Sequence, residues 1–193
     1  MIKNRKHSPL PAPPLGECLN LAVSEGSGGN EALPQRGSGE GACLFLSLGS
    51  NLGDRDAVLR RAIALIGERV GTVERVSSFI ETEPWGFRSE HPFLNAACMV
   101  RTMLSPFECL EQTQRIEREL GRTSKSQDGI YHDRPIDIDL LLYGDLHIST
   151  PTLTLPHPLM LQRDFVMVPL REILPEFPGG ALTNPGEPEA CQK

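Results

Sequence analysis

Cys43-Leu-Phe-Leu-Ser-Leu48 runs into Gly49-Ser50-Asn51, and immediately afterwards the chain changes its period. A short apolar run halted by turn residues predicts a buried strand over residues 43–48. From Asp54 to Arg69 the apolar residues Val58, Leu59, Ala62, Ile63 and Ile66 recur every three or four positions. That spacing, with charge opposite, predicts an amphipathic helix. Downstream, residues 72–80 and 94–103 carry the β-branched and aromatic content of strands, and the punctuated stretch 81–92 between them reads as neither element. Ser105-Pro106-Phe107-Glu108 predicts a helix start, with Ser as cap, Pro in the first turn and Glu closing a capping box. Leu110, Thr113, Ile116 or Glu117, and Leu120 continue that period to Gly121, a natural stop. A polar loop from Arg122 to Asp133 leads to the β-like run Pro135–Tyr143, and Phe165–Ile173 reads as a last short helix. Strand, helix, strand, strand, helix, strand is the βαββαβ order of ferredoxin-like α+β folds with a mainly antiparallel sheet.

The ends read differently. Residues 1–41 are rich in Pro, Gly, Ser and Glu and poor in aromatic and β-branched residues, so burial cannot offset the entropy of ordering them. They are expected to be a disordered extension, residues 42–180 a single domain and residues 181–193 a disordered tail. The basic start is followed by Ser8-Pro-Leu-Pro-Ala-Pro-Pro14, which interrupts the apolar stretch that a secretion signal needs. Five cysteines without metal-ligand spacing argue against a disulfide framework or structural zinc and point to a reducing cytoplasm. No apolar run approaches the roughly 20 residues of a spanning helix. A net charge of −6 gives no footprint of a nucleic-acid binder, so any anionic ligand must be held by local arginines.

Asp137-Ile138-Asp139 is the sharpest chemical feature. On a strand the two carboxylates share a face, with Cα atoms about 6.6 Å apart, and that repulsion calls for a positive partner. Magnesium bridging phosphate oxygens answers it, since this cation uses one or two carboxylates plus substrate phosphate. A bare DxD is also the ordinary solvated face of an edge strand, but Arg134 lies just upstream and Arg122 opens the preceding loop. Guanidinium forks suit phosphate oxygens and charge developing on a transferring phosphoryl group. Gln114 and Glu117 share a helical face, and Pro156-His157-Pro158 with Arg163 adds an imidazole and another guanidinium. Gly49-Ser50-Asn51-Leu52-Gly53 lacks the GKS/T element of a P-loop, and the chain has no GxGxxG, GxSxG or HExxH motif.

In order along the chain, Gly49-Ser-Asn-Leu52, Val76-Ser-Ser-Phe79, Pro92-Phe-Leu-Asn95, Gln114-Arg-Ile-Glu117, Gly121-Arg122, Arg134-Pro-Ile-Asp-Ile-Asp139 and Pro156-His157 resemble the 6-hydroxymethyl-7,8-dihydropterin pyrophosphokinase family. The resemblance implies a ferredoxin-like core in a three-layer αβα sandwich, ATP as co-substrate, two magnesium ions and mobile loops over the site. By that likeness Asp137 and Asp139 are metal ligands, and Arg122 and Arg134 lie against the transferring group. Gln114, Glu117, Tyr131, Leu140, Thr154, His157 and Arg163 contact ATP. Thr82 and Asn95 hydrogen-bond the pterin, Phe93 and Phe165 sandwich its ring, and Gly49 and Trp85 complete its site. The expected partners are small molecules, with no nucleic acid or membrane, and the expected state is a monomer.

The chain departs from the family pattern in places. Ser124 stands where some members carry a second arginine, Tyr131 where some have Trp and Pro158 where some have Tyr, and the 122–134 loop is longer than in one common version. Two other readings remain open on residues alone. A palm-type nucleotidyltransferase also joins a Gly-Ser turn to a strand DxD, and a non-catalytic ferredoxin-like module would use the acidic face for docking.

Overall fold

The computed structural model describes residues 3–5, 41–87, 89–122 and 132–174. The first long strand, β2 (Ala42–Ser50), is fully buried from Leu44 onward and sits between β5 (Phe93–Thr102) and β6 (Asp137–Tyr143). Both pairings are antiparallel. Helix α1 (Arg55–Arg69) follows β2, capped by the Asp54 carboxylate, which accepts from the Ala57 N–H. Helix α2 (Pro106–Glu119) carries the capping box expected of Ser105 and Glu108.

The stretch expected as one strand over 72–80 is two, β3 (Thr72–Val76) and β4 (Phe79–Thr82), both paired with β5. The break has a tertiary cause. Ser77 Oγ accepts the Ala97 N–H while the Ser77 N–H donates to the Ala97 carbonyl, so side chain and backbone together step out of the ladder. Strand β4 also reaches two residues into the stretch read as irregular.

A three-residue strand, β1 (Lys3–Arg5), pairs antiparallel with β4 at the sheet edge. Main-chain pairing of this kind needs no apolar side chain. The rest of the 1–40 stretch, and the tail, lie outside the described residues. Among the described residues the sheet order is β1-β4-β5-β2-β6 with β3 alongside β5, and a small hairpin of β7 (Ile148–Ser149) and β8 (Thr154–Leu155) stands apart.

Alternation on the central strands divides the core in two. Leu44, Leu46, Leu48, Ile138 and Leu140 pack with α1 and α2, whereas Phe45, Ala97, Met99 and Leu141 pack with α3 (Asp164–Ile173). The result is the three-layer αβα arrangement on an antiparallel sheet. At the α3-side end of the sheet the row of side chains turns from apolar to polar.

Candidate active site

Register builds the floor of the site. Across β5, β2 and β6, Asn95 lies opposite Gly49 and Gly49 opposite Asp137, and in the next row Ala97, Ser47 and Asp139 align. A cleft of about 240 Å³ opens over these rows, and its walls include Thr82, Trp85, Phe93, Arg122, Arg134, His157, Arg163 and Phe165. Polar and aromatic side chains from widely separated segments of the chain therefore converge on one cleft.

The Gly49 position leaves the floor open. A Cβ there would stand 2.9 Å from Asn95 Oδ1 and 3.5 Å from Phe93 Cδ1, and the Asn95 amide also donates to Thr82 Oγ1 at 2.8 Å. Gly49→Ala must therefore displace the Asn95 amide. It is expected to raise the KM for a flat ligand bound over Asn95 by about tenfold while leaving the KM for a ligand held by Arg122 and Arg134 unchanged. Steady-state kinetics with each substrate varied in turn checks this, and an unmoved KM would remove Gly49 from that floor.

Arg122 is delivered by the end of α2. Gly121 has a φ of +94°, its N–H donates to the Arg118 carbonyl, and the Arg122 N–H donates to the Glu117 carbonyl, the paired bonds of a Schellman cap. The cap turns the chain so that the Arg122 guanidinium reaches both the Glu117 and the Asp137 carboxylates. Glu117 itself is buried and accepts the Ile138 N–H at 2.8 Å on the edge strand β6. Burial raises its carboxyl pKa, aided by the Asp137 charge and opposed by Arg122 and the Ile138 N–H. Glu117 thus ties α2, Arg122 and the start of β6 into one unit.

Arg134 is set from the other direction. The Asn51 side chain accepts the Arg134 N–H at 2.8 Å and donates to Asp133 at 2.6 Å, while the Asn51 N–H donates to the Arg134 carbonyl. The guanidinium then donates to Asp137 at 2.6 Å and lies 5.5 Å over the Phe93 ring. Asp137 is neutralised by two arginines. The Asp139 carboxylate, on the same face, makes no hydrogen bond or ion pair among the described residues, and its pKa is pushed up to about 7 by burial and then by the Asp137 charge, against the pull of Arg163 and Arg134.

His157 reaches the cleft because of a bulge. Strand β6 slips register between Phe45 and Leu46, leaving Leu141 as the extra residue, and the Leu141 carbonyl accepts the His157 N–H at 2.9 Å. His157 Nδ1 accepts from the Leu159 N–H, which leaves the ring proton on Nε2. Burial and the neighbouring Arg163 hold this imidazole below its ordinary pKa, so it is a neutral donor. Arg163 is buried at the start of α3, 4.7 Å from the Trp85 ring and 5.7 Å from that of Phe165.

Of the residues singled out from sequence, Gly49, Thr82, Trp85, Phe93, Asn95, Arg122, Arg134, Asp137, Asp139, His157, Arg163 and Phe165 line this cleft. Glu117 acts on it through Arg122. Gln114 is half-buried on α2 and Thr154 exposed on β8, and neither lines the cleft. The Leu140 side chain lies in the opposite core, because its place on β6 points it towards α1 and α2. Tyr131 falls outside the described residues, as does Ser124. Ser47, Glu83 and Phe87 also line the cleft. Strand alternation from Gly49 identifies Ser47, whereas Glu83 and Phe87 lie on a loop without a periodic signal.

The family model of 7,8-dihydro-6-hydroxymethylpterin-pyrophosphokinase (HPPK) matches residues 45–175. A 2-amino-4-hydroxy-6-hydroxymethyldihydropteridine pyrophosphokinase of Porphyromonas gingivalis (strain ATCC 33277) is 56% identical over 135 residues, covering 69% of this chain and 92% of the relative. The protein of that name from Bacillus subtilis (strain 168) is 47% identical, over 67% of this chain and 76% of the relative. Among solved structures, a Plasmodium falciparum HPPK-DHPS triple mutant superposes with a TM-score of 0.59 at 15% identity, over 77% of this chain and 42% of that one. The present chain spans about two fifths of that solved chain, and the likeness to it is one of fold. Matched along its described domain and resembling its named relatives over most of their length, the chain belongs to the 7,8-dihydro-6-hydroxymethylpterin-pyrophosphokinase family.

Proposed function

We propose that this chain transfers a diphosphoryl group from ATP to the hydroxymethyl group of 6-hydroxymethyl-7,8-dihydropterin and releases AMP, a step of folate biosynthesis. The observation that carries this reading is one cleft with two chemistries. Asp137, Asp139, Arg122 and Arg134 form a phosphate-handling wall, and Phe93, Phe165, Asn95 and Thr82 a slot for a flat polar ring. The names of the relatives point the same way.

The donor set suits magnesium. Two carboxylates project from one face of β6, and burial together with the Asp137 charge raises the pKa of Asp139, so a cation bound there would relieve both. Among the described residues no group of three or more His, Cys, Asp or Glu converges, so phosphate and water would supply the remaining oxygen ligands, the habit of magnesium. Asp137 and Asp139 would hold two ions, which when bound neutralise phosphate charge and orient the reacting oxygens.

In the reaction the pterin hydroxymethyl oxygen forms a bond to the β-phosphorus, the bridge from that phosphorus to the α-phosphate breaks, and AMP leaves with the bonding pair. The hydroxyl proton passes to solvent. Arg122 and Arg134, now resting on Asp137, turn their N–H donors to the transferring group when ATP brings a stronger acceptor. His157 and Arg163 bind the nucleotide from the α3 side, the former through Nε2–H. Phe93 and Phe165 stack on the ring while Asn95 and Thr82 read its polar edge. Gln114, Tyr131, Leu140 and Thr154 remain proposed nucleotide contacts, Leu140 through its backbone.

The catalytic unit is residues 42–180, working as a monomer in the cytoplasm on small molecules. No helix among the described residues is long and apolar enough to cross a membrane. Incubation of the protein with ATP, magnesium and the pterin should yield AMP in equal amount to the pterin diphosphate. Formation of ADP alone, or of pyrophosphate with a nucleotidyl product, would overturn the assignment.

A further inference from the structure

Arg55 is the first residue of α1, where the positive end of the helix dipole disfavours a cation. A residue that breaks a local rule is often held by a contact elsewhere. The Arg55 guanidinium leaves the helix and donates through Nη1 to the Pro92 carbonyl at 2.6 Å and through Nη2 to Glu81 Oε2 at 2.8 Å. One planar fork thus joins α1 to the two ends of the loop between β4 and β5.

Those ends frame the aromatic side of the cleft. Glu81 precedes Thr82, Pro92 precedes Phe93, and Thr82 and Phe93 face each other in register. The loop between them carries Glu83, Trp85 and Phe87, all on the cleft wall, whereas Arg55 does not line the cleft. Alternation turns Glu81 towards α1 while Thr82 turns towards the ring slot. We propose that Arg55 and Glu81 form a positioning clamp that holds the stem of the 83–92 loop and so sets the affinity for the ring substrate from the opposite side of the sheet. The inference rests on the reading of Thr82, Phe93 and Asn95 as the pterin slot.

The test compares Arg55→Met, Glu81→Ala and the double variant by steady-state kinetics with each substrate varied, and by calorimetric binding of the pterin in the presence of a non-hydrolysable ATP analogue. Arg55→Met should raise the pterin KM and Kd about tenfold, with kcat at saturation and the ATP KM changed by less than about threefold. The double variant should be no worse than Arg55→Met, because Arg55→Met already removes the ion pair that Glu81→Ala would remove. If Arg55→Met does not fold, Glu81→Ala carries the test with a smaller rise in pterin KM at unchanged ATP KM. Unmoved pterin constants, additive effects, or a parallel rise for both substrates would overturn the clamp. A wild-type protein that binds pterin but forms no AMP would instead overturn the assigned reaction, and leave the clamp to be judged on the pterin Kd.

Discussion

Arg134→Ala is expected to lower kcat by about 10³-fold, with a much smaller effect on the ATP KM, because arginines against a transferring phosphoryl group act chiefly in the transition state. Three features single out this side chain. Its backbone is held on both sides by Asn51, so the guanidinium is presented by an anchored residue. It donates to Asp137 on the phosphate wall, and it lies over the Phe93 ring on the pterin wall. It thus touches both halves of the cleft. The fold should survive, since Asp137 keeps its bond to Arg122 and the hydrophobic clusters are untouched. Arg134→Lys should recover only part of the loss, because an ammonium lacks the planar fork and stacks poorly on an aromatic face. Single-turnover measurement of AMP release reads the chemical step directly. A decrease smaller than about tenfold would remove Arg134 from transition-state stabilisation.

Asp139→Asn should abolish most turnover, by about 10² to 10³-fold, because it removes the one carboxylate on the wall that no arginine already occupies. It should also change the pH dependence of stability in a definite direction. The folded pKa of about 7 lies above the ordinary carboxyl value. The folded protein therefore binds this proton more tightly than the unfolded chain, and ionisation works against the ligand-free fold. The destabilisation is absent well below the unfolded pKa of about 4, grows as pH rises and is complete above about pH 7. Without magnesium, the difference in Tm between Asp139→Asn and wild type should therefore widen in favour of the variant from pH 5 to 8. Magnesium with an ATP analogue should reverse it, raising the wild-type Tm more at pH 8 than at pH 6, because the proton competes with the cation for the carboxylate. A Tm difference independent of pH would sink the account of Asp139 as a buried carboxyl crowded by the Asp137 charge.

How much of this was legible beforehand follows from the range of the interactions involved. The capping box at Ser105 and Glu108, the stop at Gly121 and the helix over 55–69 are decided by contacts within four or five residues, and the sequence displays them directly. The shared face of Asp137 and Asp139 follows from strand alternation alone, as does Ser47 beside Gly49. The chemistry of the phosphate wall was therefore readable as residue types at a spacing. The proposed pterin slot was readable only through resemblance to a family, because Thr82, Phe93 and Phe165 have no spacing of their own.

The remaining features depend on partners far apart in the chain. The break between β3 and β4 comes from Ser77 meeting Ala97, and the Asn51 anchor on Arg134 spans 83 residues. The direction of Leu140, away from the cleft, is set by which face of β6 the helices cover. The place of His157 depends on a bulge at Leu141 that no local pattern announces. Sequence by itself determined the α+β order, the helix ends, the paired carboxylates and, by likeness, the family. Tertiary structure alone decided that Asp137 rests on two arginines while the Asp139 carboxylate has no ion pair among the described residues, since that division depends on how α2, the Asn51 turn and β6 converge. Local preferences act over a few bonds, whereas the electrostatics of a site are set by charges that only the folded sheet brings together.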